Sequence, residues 1–215
     1  MPSLTSRLTT RVASMTAARF ARADDGVAAV EFALIVPVML FMFMGAVELS
    51  QAVTVDRRVS QVAATSGDLV ARSETNIQQT EVEDIMKVGT YLMAPYPTTR
   101  LKVIIRSVAS STTSATDTKE KWRCTYDTAL GTPFSCICVN APTGTAYALP
   151  SGLVGVNDSV VIAETEYGYQ PWPFDKFFKN TWTQTTPGIY TIKDKIYQKP
   201  RGQAAKLNLT SGTQC

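Results

Sequence analysis

A chain of 215 residues with 18% charged and 45% hydrophobic side chains has room for one ordinary domain and an accessory segment, and is neither disordered nor wholly membrane-embedded in composition. Its formal charge of +3 gathers early, with Arg7, Arg11, Arg19 and Arg22 set against Asp24 and Asp25; the rest carries 17 basic and 16 acidic residues. That near-balance leaves no electrostatic footprint for a nucleic-acid partner.

The first strong signal in chain order is apolar. Phe32 to Val47 is sixteen residues without a charge, and counting from Val27 and tolerating Glu31 gives twenty-one, about the length that crosses a hydrocarbon core of ~30 Å. From Leu34 to Met44 the side chains are apolar all round a helix, so no stripe is left for water. Pro37 removes one helix hydrogen bond and favours a kink, which a membrane helix tolerates. Four arginines precede the segment and only Arg57 and Arg58 follow closely. The bias in basic residues therefore places the N-terminus in the cytoplasm and the distal chain outside.

Beyond Val47 the pattern becomes a stripe. Leu49, Ala52, Val53, Val59, Val62, Ala63, Leu69 and Val70 recur at helical spacing, and one continuous helix from Val27 to Arg72, about 70 Å long at 1.5 Å per residue, is the simplest account. A second helix is signalled by the capping-box spacing of Thr80 and Glu83, with Ile85, Met86 and Leu92 as its apolar face and Pro95 and Pro97 as its stop.

The period then changes to two. Leu101, Val103 and Ile105, and later Trp122, Cys124 and Tyr126, alternate with polar neighbours on either side of a Ser/Thr-rich stretch at 107–118, which predicts a hairpin. Residues 130–158, rich in proline and glycine, read as an irregular excursion that disulfides pin down. A third strand is predicted from Ser159 to Tyr169, with Val161, Ala163, Thr165, Tyr167 and Tyr169 on one face, and a fourth from Ile189 to Tyr197. Pro171 and Pro173 introduce a short helix at 174–178. The expected class is α+β: a small antiparallel sheet packed on helix.

The search for chemistry is mostly negative. With no histidine, neither a Ser/His/Asp triad nor an HExxH zinc site can be built, and there is no Gly-rich phosphate loop. No enzyme activity, cofactor or metal is expected. Glu164 and Glu166, two apart on one strand face, read as the solvent-facing edge of a half-buried strand, and the aromatics Tyr169, Trp172, Phe174, Phe177 and Phe178 as a satellite core. Cys124, Cys136, Cys138 and Cys215 are all distal and even in number, which suits an oxidising compartment. Joining Cys136 to Cys138 closes too tight a ring, so two pairings stay open: Cys215 joins Cys136 or Cys138, and Cys124 takes the other.

Glu31 is the anomaly. A carboxylate in an apolar span carries an insertion cost of about 2.5–3.5 kcal/mol at the bilayer centre and less near an interface, and it calls for a partner. No residue from Val27 to Val47 is basic. A cut after Gly26 would supply the cation, as the α-amine of Val27, which is largely protonated at neutral pH; a neighbouring molecule staggered by about one helical turn would bring its amine to this carboxylate.

A basic leader, a glycine, a carboxylate five residues later and a hydrophobic helix resemble a type IV prepilin-type sequence. More narrowly, Gly26-Val27-Ala28-Ala29-Val30-Glu31-Phe32-Ala33-Leu34 followed by Pro37 resembles the TadE-like family, pseudopilins or minor pilins of tight-adherence (Tad) pili, and "APYP" at 94–97, "ETEYGYQP" at 164–171 and "KPRG" at 199–202 are also similar to it. The resemblance implies prepilin peptidase cleavage at Gly26, Val27 as the mature N-terminus, and Glu31 and Phe32 as assembly residues. It implies a leader at 1–26, a helix at 27–72 spanning the membrane at 27–47, and an extracytoplasmic domain at 73–215. Other Tad pilins, the peptidase and an inner-membrane assembly platform are the implied partners. The alternative is a secreted or periplasmic binding module whose apolar segment is a signal peptide cut after Ala52, a reading in which Glu31 has no role.

Overall fold

The computed structural model describes residues 25–73, 76–138, 145–171, 189–201, 208–211 and 213–214. Helix α1 runs unbroken from Asp25 to Ala71 with Pro37 inside it, and the chain divides into two compact units, the residues up to Leu49 and those from Ser50 onward.

Within the second unit, the remaining length of α1 buries Val55, Val59, Val62, Ala63, Ser66, Val70 and Ala71. This is the three-and-four spacing of a helix with one face on a core. The face differs from the expected stripe at its start. Leu49 and Val53 stay 67% and 44% exposed, because Val53 lies two residues, about 200°, around the helix from Val55.

Strand β1 (Asn76–Gln78) leads directly into helix α2 (Gln79–Leu92), which buries Val82, Met86 and Gly89. Its N-cap is Gln78, two residues before the expected Thr80. The Gln78 N–H donates to Glu81 Oε2 at 3.0 Å, whereas Glu83 pairs with Lys87 at 2.9 Å. Gly89 lets α2 lie close on α1: a Cβ there would stand 2.9 Å from Val62 Cγ1. At the other end of α2, Arg58 of α1 donates from Nη1 to the Leu92 carbonyl at 2.8 Å and lies over the Tyr96 ring at 5.8 Å, satisfying one of the carbonyls that a helix end leaves open.

The main sheet contains β2 (Leu101–Ser110), β3 (Thr118–Asp127), β4 (Phe134–Cys138), β5 (Ser159–Tyr169) and β6 (Tyr190–Gln198). They lie in the order β4-β3-β2-β5-β6, every neighbour antiparallel. The expected alternation holds, since Leu101, Val103, Ile105, Trp122, Cys124, Val161, Ala163, Tyr167 and Tyr169 join Val55, Val59 and Val62 in one core. The architecture is α+β.

Four details depart from expectation. The hairpin tip is shorter than 107–118, because Ser107 to Ser110 remain buried strand; the tip itself is closed by Ser111 N–H donating to Asp117 O at 2.9 Å. The excursion after residue 130 is not wholly irregular, for it contains β4, whose Cys136 sits opposite Cys124 in register. A second core on the far face of the sheet joins Val108, Val154, Val160 and Ile162 with Tyr147, Leu149, Leu153 and Tyr197. Finally, a separate three-stranded sheet pairs β1 in parallel with β7 (Asn208–Ser211) and β7 with β8 (Thr213–Gln214), bringing buried Leu209 beside buried Ile77. The predicted helix at 174–178 and the aromatics Trp172, Phe174, Phe177 and Phe178 lie outside the described residues, whereas Tyr169 belongs to the main core.

Candidate functional site

The sequence-predicted site residues occupy the start of α1. Gly26 has no atom within 4 Å of where a Cβ would sit, so no contact described in the chain requires a glycine there. Val27, Val30 and Phe32 are 57%, 61% and 69% exposed, and Glu31 is exposed as well. From Gly26 to Phe43 every residue is exposed, and none of the most apolar 18-residue stretch of the helix is buried. A continuous surface of Leu34, Ile35, Met39, Leu40, Phe41 and Met42 without a covering layer far exceeds the apolar patches that soluble monomers leave in water. It is long and apolar enough to cross a membrane.

The spacing around the carboxylate is equally simple. Val27 and Glu31 are four residues apart on a helix, so they share a face about 6 Å apart along the axis. Glu31 lies in the first turn or so of a helix that would begin at Val27, where the macrodipole favours negative charge.

The structure places Cys124 and Cys136 in a disulfide across β3 and β4, twelve residues apart in sequence, which is one of the two pairings left open above. Cys138 is also disulfide-bonded, and Cys215 lies outside the described residues.

Glu164 and Glu166 are not on an edge: β5 lies between β2 and β6. Glu164 accepts from Arg106 Nη2 at 2.7 Å, from Lys195 Nζ at 2.9 Å and from the Tyr147 hydroxyl at 3.2 Å; Lys195 also donates to the Tyr147 oxygen. Glu120, 7% exposed, completes the cluster at 3.3 Å from Arg106 Nη1. Burial works against the charge of Glu164, but the Lys195 hydrogen bond and the Arg106 and Lys195 charges outweigh it and hold the carboxyl below its ordinary range. Burial likewise opposes the Lys195 ammonium, yet Tyr147 and Glu164 push its pKa upward. These opposite shifts mark a closed ion-pair cluster. Sequence reasoning missed Arg106, Glu120, Tyr147 and Lys195, because only strand register brings them together: Arg106 faces Ile162 and Glu164 faces Lys195 across neighbouring strands. Among the described residues no group of three or more His, Cys, Asp or Glu is placed to hold a metal.

No curated protein and no solved structure matches the chain. The family model described as TadE-like protein matches residues 26–68, from the candidate cleavage glycine to the buried half of α1; the distal motifs at 94–97, 164–171 and 199–202 lie beyond it. Through this helix, which carries Gly26, Val27, Glu31 and Phe32, the chain is similar to the TadE-like family.

Proposed function

We propose that the protein is a minor pilin, or pseudopilin, of a Tad-type pilus, made as a membrane precursor, trimmed by prepilin peptidase after Gly26 and assembled through α1 to prime or cap the pilus for surface adhesion. The observation that carries this reading is the uncovered apolar length of α1 with its one carboxylate five residues past Gly26, in a TadE-like match that itself begins at Gly26. In the precursor this surface meets lipid; in the pilus it meets the helices of other subunits. Glu31 is then neutralised by the α-amine of a neighbour staggered by about one turn, so its insertion cost is recovered only on assembly. Before assembly the chain is a single-pass inner-membrane protein with a cytoplasmic N-terminus and a periplasmic domain, as the arginine bias supports. The partners are other Tad pilins, the peptidase and the assembly platform.

N-terminal sequencing of protein purified from the envelope tests the processing step: Val27 is expected, and Val53 would establish the secreted module cut after Ala52 instead. Glu31→Val tests the assembly role. It raises the hydrophobicity of the anchor, so insertion, cleavage and the folded outer unit should persist while incorporation fails; normal piliation in a strain that depends on this protein for pili would defeat the role given to Glu31.

A further inference from the structure

A cavity of about 410 Å³ opens in the second unit where Gln51 of α1 meets Tyr96, Arg100, Tyr167, Tyr169 and Gln170, a volume within the roughly 300–1,000 Å³ of sites that hold small molecules. None of its lining residues is acidic. Arg100 supplies the positive charge. Its Nη1 donates to Gln170 Oε1 at 2.9 Å, and among the described residues it has no carboxylate partner, which leaves the rest of a fork with five N–H donors for an incoming anion. Tyr167 is fixed as a wall by donating its hydroxyl proton to the Pro97 carbonyl at 2.9 Å, and Arg58 over Tyr96 adds a second guanidinium beside the rim.

Gln51 also fixes where this cavity lies in the chain. It is four residues beyond Val47, the end of the apolar run, hence about 6 Å further along the helix. Tyrosine with arginine at that depth is the composition of a membrane interface, and arginine matches phosphate oxygens in bidentate geometry.

We propose that this cavity holds the phosphate headgroup of an anionic membrane lipid, with Arg100 as its main partner and Tyr96 and Gln51 beside the glycerol. The proposal rests on the reading that α1 spans the membrane from Val27 to Val47. Alkaline carbonate extraction tests that reading first: release of the full-length chain from the membrane would overturn both. With the chain retained, native mass spectrometry of the detergent-extracted full-length protein, offered phosphatidylglycerol or phosphatidylcholine, tests the lipid site alone. Preferential retention of one phosphatidylglycerol is expected from the unmodified chain. Arg100→Gln should weaken it about fivefold, the effect of one basic residue near an anionic surface. Arg100→Lys should restore part of the loss, and Arg72→Gln, at the other end of the outer helix, should change nothing. Equal retention of the two lipids by the unmodified chain overturns the proposal whether or not any variant folds, as does equal retention by a folded Arg100→Gln. Saturation of tyrosine fluorescence by inorganic phosphate without lipid retention would show a free-anion site and overturn it too.

Discussion

Gly67 of α1 lies directly against Ala163 of β5: a Cβ on Gly67 would stand 3.1 Å from the Ala163 Cβ and 3.4 Å from Gln198 Cγ. Two small residues thus set how closely the helix approaches the centre of the sheet. Gly67→Val should destabilise the outer unit by about 1–3 kcal/mol through overpacking, with Ala163→Val behaving alike. Gly67→Ala should cost less, since helix propensity returns about 1 kcal/mol. Urea unfolding of the full-length protein in detergent, followed by tryptophan fluorescence, measures the order.

Arg106 is the hub of the ion-pair cluster, 11% exposed between Glu120 at 7% and Glu164 at 21%. Arg106→Met removes the cation and leaves Glu120 buried with Arg123 at 3.7 Å as its remaining partner. The expected loss is about 3 kcal/mol, the scale for breaking one side of a buried pair. Tyr147→Phe, which deletes only the hydroxyl that donates to Glu164, should cost about 1 kcal/mol. A reversed order in the same unfolding measurement would remove Arg106 from the centre of the cluster.

Stability should be flat through neutrality and fall in acid. The folded-state pKa of Glu164 is lowered, as above. That of Asp158 is also lowered, because although burial opposes its charge, the Lys199 hydrogen bond and the Gly155 and Ser159 N–H groups prevail. Groups of this sign contribute stability that is complete above their ordinary value of about 4 and is lost as pH falls below it. Lys195, shifted upward, contributes below its ordinary value of about 10.4 and loses that contribution only at higher pH. Thermal midpoints recorded from pH 7 to pH 3 should drop below about pH 5, and Glu164→Gln should flatten the drop.

Reduction should loosen the edge of the sheet. The Cys124–Cys136 bond closes a loop of twelve-residue separation, worth about 3 kcal/mol in the chain-entropy account. Peptide mapping without reduction is expected to recover this pair, and with it Cys138 joined to Cys215, the remaining cysteine of the four. Free thiols at all four positions in envelope-derived protein would contradict both.

Gly26→Val should separate processing from folding. No atom stands within 4 Å of a Cβ at this position, so the substitution leaves α1 and the outer unit intact, and any block to maturation arises at the peptidase. The expected product is a membrane-held precursor longer by the leader, without a free amine at Val27, seen as a slower-migrating band. A band of mature size would remove Gly26 from the cleavage site.

What the sequence determined by itself was local. Sixteen uncharged residues followed by a three-and-four stripe specify the one long helix, because helical periodicity is a property of neighbours within two turns; alternation at Leu101, Val103 and Ile105 specifies strand and inward face for the same reason. The position of Glu31 relative to Gly26 was also legible, being a matter of counting. Tertiary structure decided whatever depends on register. Only closure of the chain pairs Asn76 with Asn208, 132 residues away, or chooses Cys136 over Cys138 as the residue opposite Cys124. Glu164 looked like a solvent-facing carboxylate because its own strand does show it on the polar face. It became the acceptor for Arg106 and Lys195 because β2 and β6 flank β5 with those two side chains at its level, and that alignment is fixed by packing across the whole sheet rather than by any single stretch of sequence.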